Sequence, residues 1–394
     1  MTGMLSDIKV LDLTTFLSGP FCTMILADMG AEVIKIETPP KGCATRGTPP
    51  FVNGESAYFM SLNRGKKDIT LNLKSKEGKK IFLQLAAECD VLVENFRPGV
   101  MERLGFDYET MSKLNPKLVY ATISGFGSTG PLREKGAYDM VIQGYGGVMS
   151  ITGNPGEDPI RVGYSVADLA AGLYGAIAVT GALRARDRMQ KGQHLDISMF
   201  DCQVALMENA IARYFATGEI PGPLGNRHPS IAPFQAFKSS TGYFTVTAST
   251  DEQFGKLCDV LEVPGFKSDP RFLTKADRAK NAPEVSSVFG RLFEGKPKEH
   301  WIERLDGCGV PCGPINNVQE VVESPQVQAR GMIVEMDHPT AGKIKMAGSP
   351  IKASLTPVSV QCPPPLLGQD TEKVLARLGY GGEEIAAFKT AGII

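Results

Sequence analysis

The spacing of short apolar runs in the first two hundred residues constrains this chain most. Lys9-Val-Leu-Asp-Leu-Thr14 reads as a buried strand. Gly19 and Pro20 open a helix carrying Phe21, Met24, Ile25 and Met29 on one face, Gly30 stops it, and Glu32-Val-Ile-Lys-Ile36 reads as the next strand. A strand, a short helix and a strand in so tight a span argue for a parallel sheet. The pattern recurs: strands at Asp68–Leu73, Asp90–Glu94, Leu118–Ile123 and His194–Met199, with helices at Gly78–Cys89 and near 169–186. The expected fold class is therefore α/β, with a doubly wound first half.

Beyond it, Pro221, Pro223, Pro229 and Pro233 mark a crossing between domains at 218–233. Tyr243–Ala248 alternates as a strand, residues 251–322 read as mostly helical, and the tail returns to strand-like runs at Met332–Met336 and Lys343–Ala347 before a helix near 370–379.

Charge and composition exclude several classes. With 42 basic against 43 acidic residues, the chain lacks the basic excess of a nucleic-acid binder. Leu169–Leu183 is uncharged but shorter than the roughly 20 residues a bilayer requires, so it reads as a buried helix and no membrane partner is expected. The opening Met1–Ile8 carries no secretory apolar run, and the eight scattered cysteines read as reduced thiols. The expected location is cytoplasmic, or an organelle matrix after loss of a targeting segment. Cys308 and Cys312 lack a second pair, and His194, His228, His300 and His338 lack ligand spacing, so no metal site is expected.

Three constellations carry chemistry. In Tyr164-Ser-Val-Ala-Asp-Leu-Ala-Ala-Gly172, Ser165 followed by Asp168 resembles a capping box, which would make Asp168 a cap and nothing more. The same placement keeps a carboxylate anionic in a helix's first turn among small neighbours, where it is a competent nucleophile toward an activated acyl carbon. A basic run, Asn63-Arg64-Gly-Lys66-Lys67 with Lys74, Lys76, Lys79 and Lys80, is followed by Asn95-Phe-Arg97-Pro-Gly99 and Arg103. It reads either as solvated surface or as a phosphate site at the ends of strands. Gly125-Phe-Gly127-Ser-Thr-Gly130 matches a dinucleotide fingerprint, although Pro131 follows where a helix should open.

Taken in order, Lys9–Thr14, Ser18-Gly-Pro20, Gly30–Glu37, Asn63–Lys67, Val93–Gly99, Ala167-Asp168, Gly309–Pro314 and Pro364–Gln369 resemble the class III CoA-transferases, the CaiB/BaiF family of formyl-CoA and carnitine CoA-transferases. The resemblance implies a Rossmann-like large domain built from both chain ends (1–217 and 323–394), a smaller inserted α+β domain at 218–322, and an interlocked homodimer. It also implies that Asp168 is a catalytic nucleophile passing through an acyl anhydride and an aspartyl-CoA thioester. Coenzyme A thioesters would be substrates, with no tightly bound cofactor, and CoA contacts carry over onto Leu71, Leu73, Lys74, Asn95, Phe96, Arg103 and Tyr138, with Arg97 as an added cation. A basic residue of some members falls near Thr38, with Arg46 as its stand-in, and Ala248–Gln253 occupies the region of a tetraglycine loop. The His228 loop and Pro314-Ile-Asn-Asn317 look like the succinyl-CoA and glutaryl-CoA dicarboxylate transferases, with Arg161, Arg227 or His228 pairing a distal carboxylate. The alternatives are a 2-methylacyl-CoA racemase of the same fold, which would need a histidine that Gly136–Asp139 lacks, and an NAD(P)-dependent oxidoreductase built on Gly125–Gly130.

Overall fold

In the computed structural model, residues 3–360 and 362–394 are described; Met1 and Thr2, at the head of the opening segment, lie outside them. The chain divides into two units. The first comprises Met1–Val148, Val162–Ala212 and Pro325–Ile394. Its centre is a parallel sheet of β1 (Lys9–Asp12), β2 (Glu32–Glu37), β3 (Lys66–Thr70), β4 (Val91–Glu94), β5 (Val119–Ser124) and β6 (Gln193–Ser198). The order is β3-β2-β1-β4-β5-β6, so the winding direction reverses between β1 and β4. In such sheets the crevice for a ligand opens at the carboxyl ends of the strands flanking that reversal.

Alternation along each strand builds two cores. Val10, Val33 and Val91 face α1 (Ser18–Asp28) and the long helix Val166–Met189. Leu11, Ile34 and Leu92 face the opposite layer with α2 (Lys76–Glu88) and the C-terminal helix Thr371–Arg377. A second terminal helix, Gly382–Thr390, extends beyond the one expected from sequence. The tail is fastened to the edge strand: Asp370 N–H donates to the Asp68 carbonyl at 2.8 Å, and the Asp370 carboxylate accepts Asp68 N–H at 3.0 Å. Ile333–His338 and Gly342–Ala347 pair as an antiparallel hairpin.

Two expectations need correction. The basic run is neither a solvated face nor a phosphate site at its strongest positions. Arg64 is buried, with its guanidinium on Asp28 at 2.6 Å and on the Ala347 carbonyl at 2.7 Å. Lys66 is buried inside the sheet, its ammonium 2.9 Å from Asp12, which explains why β3 begins two residues before the predicted Asp68. Arg46, the expected stand-in cation, is committed to Glu37 at 2.7 Å, to the Pro365 carbonyl at 3.2 Å and to the face of Phe59.

The helix at 166–189 has 24 residues, longer than expected, and by length and hydropathy would suffice to cross a bilayer. Its glycines argue for a packed role instead. A Cβ at Gly172 would sit 2.7 Å from the Ser18 carbonyl, and one at Gly175 would sit 3.1 Å from Cys22 Sγ, so α1 lies directly against it.

The second unit, Met149–Arg161 with Arg213–Ser324, includes a segment that the sequence reading assigned to the first. It holds a three-stranded antiparallel sheet of Phe234–Ser239, Gly242–Thr247 and Cys312–Pro314. Phe237, Phe244, Phe254, Phe289 and Phe293 form its core, and the Trp301 indole donates to the Phe293 carbonyl at 2.8 Å. Thr250 and Gln253 form a capping box that opens the helix Asp251–Val260, so Ala248–Gln253 is a helix start, not an open glycine-like loop.

Removing one partner of a fully buried ion pair strands the other charge. Lys66→Met is expected to lower unfolding free energy by about 3–5 kcal/mol, read by urea denaturation; a loss below about 1 kcal/mol would mean that the Asp12 pair is structurally idle.

Candidate active site

The turn after β1 organises the crevice. Asp12, wholly buried, accepts from Thr14 N–H at 2.8 Å, from the Thr23 hydroxyl at 2.7 Å and from Lys66. Lys35, also buried, donates to the Thr14 carbonyl at 2.7 Å. These cations outweigh the burial that would otherwise raise the Asp12 carboxyl, and hold it well below the usual carboxylate range. Across the reversal point, Asn95 clasps the same turn: its Nδ2 donates to the Thr15 carbonyl at 2.7 Å and its Oδ1 accepts Thr15 N–H at 2.8 Å. Phe16 takes up a left-handed φ of 60° and packs edge-on against Tyr138, with ring centroids 5.7 Å apart.

Asp168 stands in the first turn of the 166–189 helix, and the predicted capping box is absent. Ser165 makes no side-chain cap bond. Asp139, the first residue of α3 (Asp139–Tyr145), takes the role from 28 residues upstream by accepting Ala167 N–H at 2.9 Å and Asp168 N–H at 3.4 Å. Gln143 holds Asp139 by donating to it at 2.7 Å, while its carbonyl oxygen accepts Val162 N–H at 2.9 Å. Asp168 is thereby released from capping, and its carboxyl receives the hydroxyl and backbone N–H of Ser18 instead. Burial first, and the Asp139 charge second, push Asp168 up to about 7 against the opposing Ser18 bonds. The Tyr58 phenol is raised to about 12 by burial and by the nearby charge of Asp168, which places it beside this cluster. Sequence reasoning missed Asp139, Gln143 and Tyr58. Asp139 lay in the very stretch inspected for a histidine, and only the fold brings it to the helix terminus.

The predicted CoA residues divide into groups. Leu73, Lys74, Phe96 and Arg103 line one cavity of about 690 Å³ together with Thr38, Asn72, Val100 and Leu104. Lys74 and Arg103 are exposed and form no ion pair among the described residues, leaving two free cations beside an aromatic face. Thr38 fills the wall position of the missing basic residue without charge. Leu71 is 1% exposed and faces the core, not the cavity. Asn95 is spent on Thr15, Tyr138 lies out on the surface against Phe16, and Arg97 lines a neighbouring cavity of about 340 Å³.

The glycine motif has another use. Ser128 N–H donates to the Asp196 carboxylate at 3.0 Å, so a protein anion occupies the place where a pyrophosphate would bind, and the next helix begins only at Asp139. Among the described residues, His194 bonds Thr122, His228 stacks on Phe234, His300 lies edge-on to Trp301 and His338 accepts a turn N–H from Ala341.

Asp139→Asn keeps an oxygen for Ala167 N–H but removes the charge. The Asp168 carboxyl is then expected to titrate at lower pH than in the parent protein, read by carbon-13 NMR of labelled aspartate; an unchanged midpoint would remove Asp139 as a tuning charge.

Comparison with known proteins agrees with this architecture. The sequence model of CoA-transferase family III matches residues 5–371. The chain is 40% identical over 392 residues to succinyl-CoA:glutarate CoA-transferase of Homo sapiens, covering 99% of this chain and 90% of that protein. It is 43% identical over 353 residues to acetyl-CoA:oxalate CoA-transferase of Acetobacter aceti, covering 89% and 90%. A crystal structure of a CAIB/BAIF family protein from Brucella suis matches with a TM-score of 0.86 at 38% identity, covering 96% of this chain and 100% of that one. A carboxylate freed from capping at the mouth of a doubly wound sheet thus belongs to a matched family: this chain is a member of CoA-transferase family III.

Proposed function

We propose that the protein moves CoA from succinyl-CoA or glutaryl-CoA to a dicarboxylic acid, with Asp168 as nucleophile. The observation that carries this is the exchange of caps. Asp139 satisfies the helix N–H groups, so the Asp168 oxygens face Ser18 and the crevice. An Asp168 oxygen attacks the thioester carbonyl, the C–S bond breaks and CoA thiolate departs, leaving an aspartyl acyl anhydride. The thiolate then attacks the Asp168 carbonyl, releasing the donor acid and forming an aspartyl-CoA thioester. Attack by the acceptor carboxylate gives a second anhydride, and thiolate attack on its acceptor carbon regenerates Asp168. A carboxylate made more basic by burial is a stronger nucleophile while ionised, so turnover is expected to fall as pH drops through about 7, where Asp168 takes up its proton.

A dicarboxylate acceptor is supported by relatives whose names carry glutarate and oxalate. Lys74 and Arg103 supply the charges for CoA phosphates, and Phe96 the apolar face for adenine. The reading includes a homodimer with interlocked chains. Leu173, Tyr174 and Ile177 on the 166–189 helix are 49%, 40% and 64% exposed, an apolar face suited to a second copy.

Asp168→Asn is expected to cut exchange by ~10³-fold or more, and hydroxylamine added during turnover should convert Asp168 to a hydroxamate seen by mass spectrometry. An unmodified Asp168 in an actively exchanging sample sinks the covalent route. Lys74→Ala and Arg103→Ala should each raise KM for acyl-CoA about tenfold. A panel of acyl-CoA donors against free acids reads the acceptor, and failure of every dicarboxylate overturns that part.

A further inference from the structure

Glu94 ends β4 and immediately precedes Asn95 and Phe96, yet takes no part in the chemistry above. Its carboxyl is 4% exposed and lies in the wall of the 340 Å³ cavity. One oxygen accepts Phe96 N–H at 2.9 Å, and the Thr122 hydroxyl bonds the same carboxyl. With Thr122 donating to Glu94, its remaining lone pair accepts from His194 Nε2 at 3.0 Å. The His194 ring is stacked on Tyr108, with centroids 5.3 Å apart. Hydrogen bonds therefore converge on Glu94, from His194 through Thr122 on one side and from the Phe96 N–H on the other. The loop that carries Asn95, Phe96 and Arg97 is gripped on two sides: Asn95 by the β1 turn, and Phe96 by Glu94. Phe96 lines both cavities, so its backbone position is shared between them.

We infer that Glu94 is a positioning residue for CoA, and that its ionised form sets the Asn95–Arg97 loop in the binding geometry, so that CoA affinity follows its protonation. This rests on the CoA site proposed above. An ionised carboxylate offers acceptors to both Phe96 N–H and Thr122. Once protonated, it holds Phe96 N–H only as a neutral acceptor, and the oxygen that carries the proton must donate to Thr122, whose hydroxyl turns round and releases His194. Burial, opposed by the bonds from Thr122 and Phe96 and reinforced by the charges of Glu102 and Asp196, raises this carboxyl to about 7. The other titratable groups lining the same cavity are His194, which burial keeps on the neutral side, Tyr108 and Tyr120, the acids Asp107 and Glu134, and the cations Arg97 and Arg133.

The test is CoA binding by calorimetry to the full protein at about pH 8 and about pH 6. Glu94→Gln fixes the protonated pattern. It should bind CoA about fivefold more weakly than the parent at the higher pH and equally at the lower, because the parent has by then lost the same charge-assisted bonds. Titration of the CoA phosphate itself is common to all samples. Thr122→Val removes a bond that favours the ionised form and should move the midpoint of the parent's pH dependence upward. The inference is overturned if Glu94→Gln matches the parent at both pH values, or if their ratio is the same at both, as a purely structural defect would give. Should Glu94→Gln fail to fold, an unmoved midpoint in Thr122→Val overturns it alone. Phe96→Ala and Arg103→Ala separate the two readings. If they too bind CoA like the parent, the CoA site itself is misplaced. If they lose CoA while Glu94→Gln follows the parent, only the role of Glu94 falls.

Discussion

The site depends on a charge that never meets solvent. Asp12, closing the first strand, draws in Lys66 from β3, while Lys35 from β2 takes the Thr14 carbonyl. Each alone would be too costly to bury; together Asp12, Lys35 and Lys66 are all partnered in the buried turn. That turn presents Thr15 to Asn95 and Ser18 to Asp168. The loop clasp and the placing of the proposed nucleophile thus share one buried network at the point where the sheet reverses.

The carboxylate pair shows how a fold reconciles two demands. A helix N-terminus needs an acceptor, and a nucleophile needs its oxygens free. One side chain cannot do both well, and here Asp139 takes the cap while Asp168, the proposed nucleophile, is left free of it. Their proximity has an electrostatic cost that makes Asp168 more basic, while Ser18 keeps the anion accessible near neutral pH.

Much of the sheet was legible because its evidence is local. Val10-Leu11, Val33-Ile34 and Val91-Leu92 are apolar on both faces, as covered parallel strands require, and the strand boundaries moved by at most three residues. The place of Asp168 in the first turn of an apolar helix was also legible, whereas its expected role as nucleophile came from the family resemblance. The rest depended on contacts far apart in sequence. Lys66 and Arg64 look like surface cations until Asp12 and Asp28 are seen against them. Gly125–Gly130 looks like a nucleotide loop until Asp196 fills it. The cap on the 166–189 helix was misassigned because Ser165 satisfies the local rule while Asp139 supplies the bond.

The bare face of that helix has a consequence for engineering. Glycine inside a helix ordinarily invites replacement by alanine, with a gain near 1 kcal/mol. Within the chain Gly181 has nothing within 4 Å of its missing methyl, but it continues the face of Tyr174 and Ile177 offered above to a second copy. Gly172, one turn beyond Asp168 on the same side, is closed to that change within the chain itself, because a methyl there would press on Ser18, which bonds the Asp168 carboxyl. A methyl at Gly181 would therefore be felt at the proposed subunit face, and one at Gly172 first at the Asp168 carboxyl.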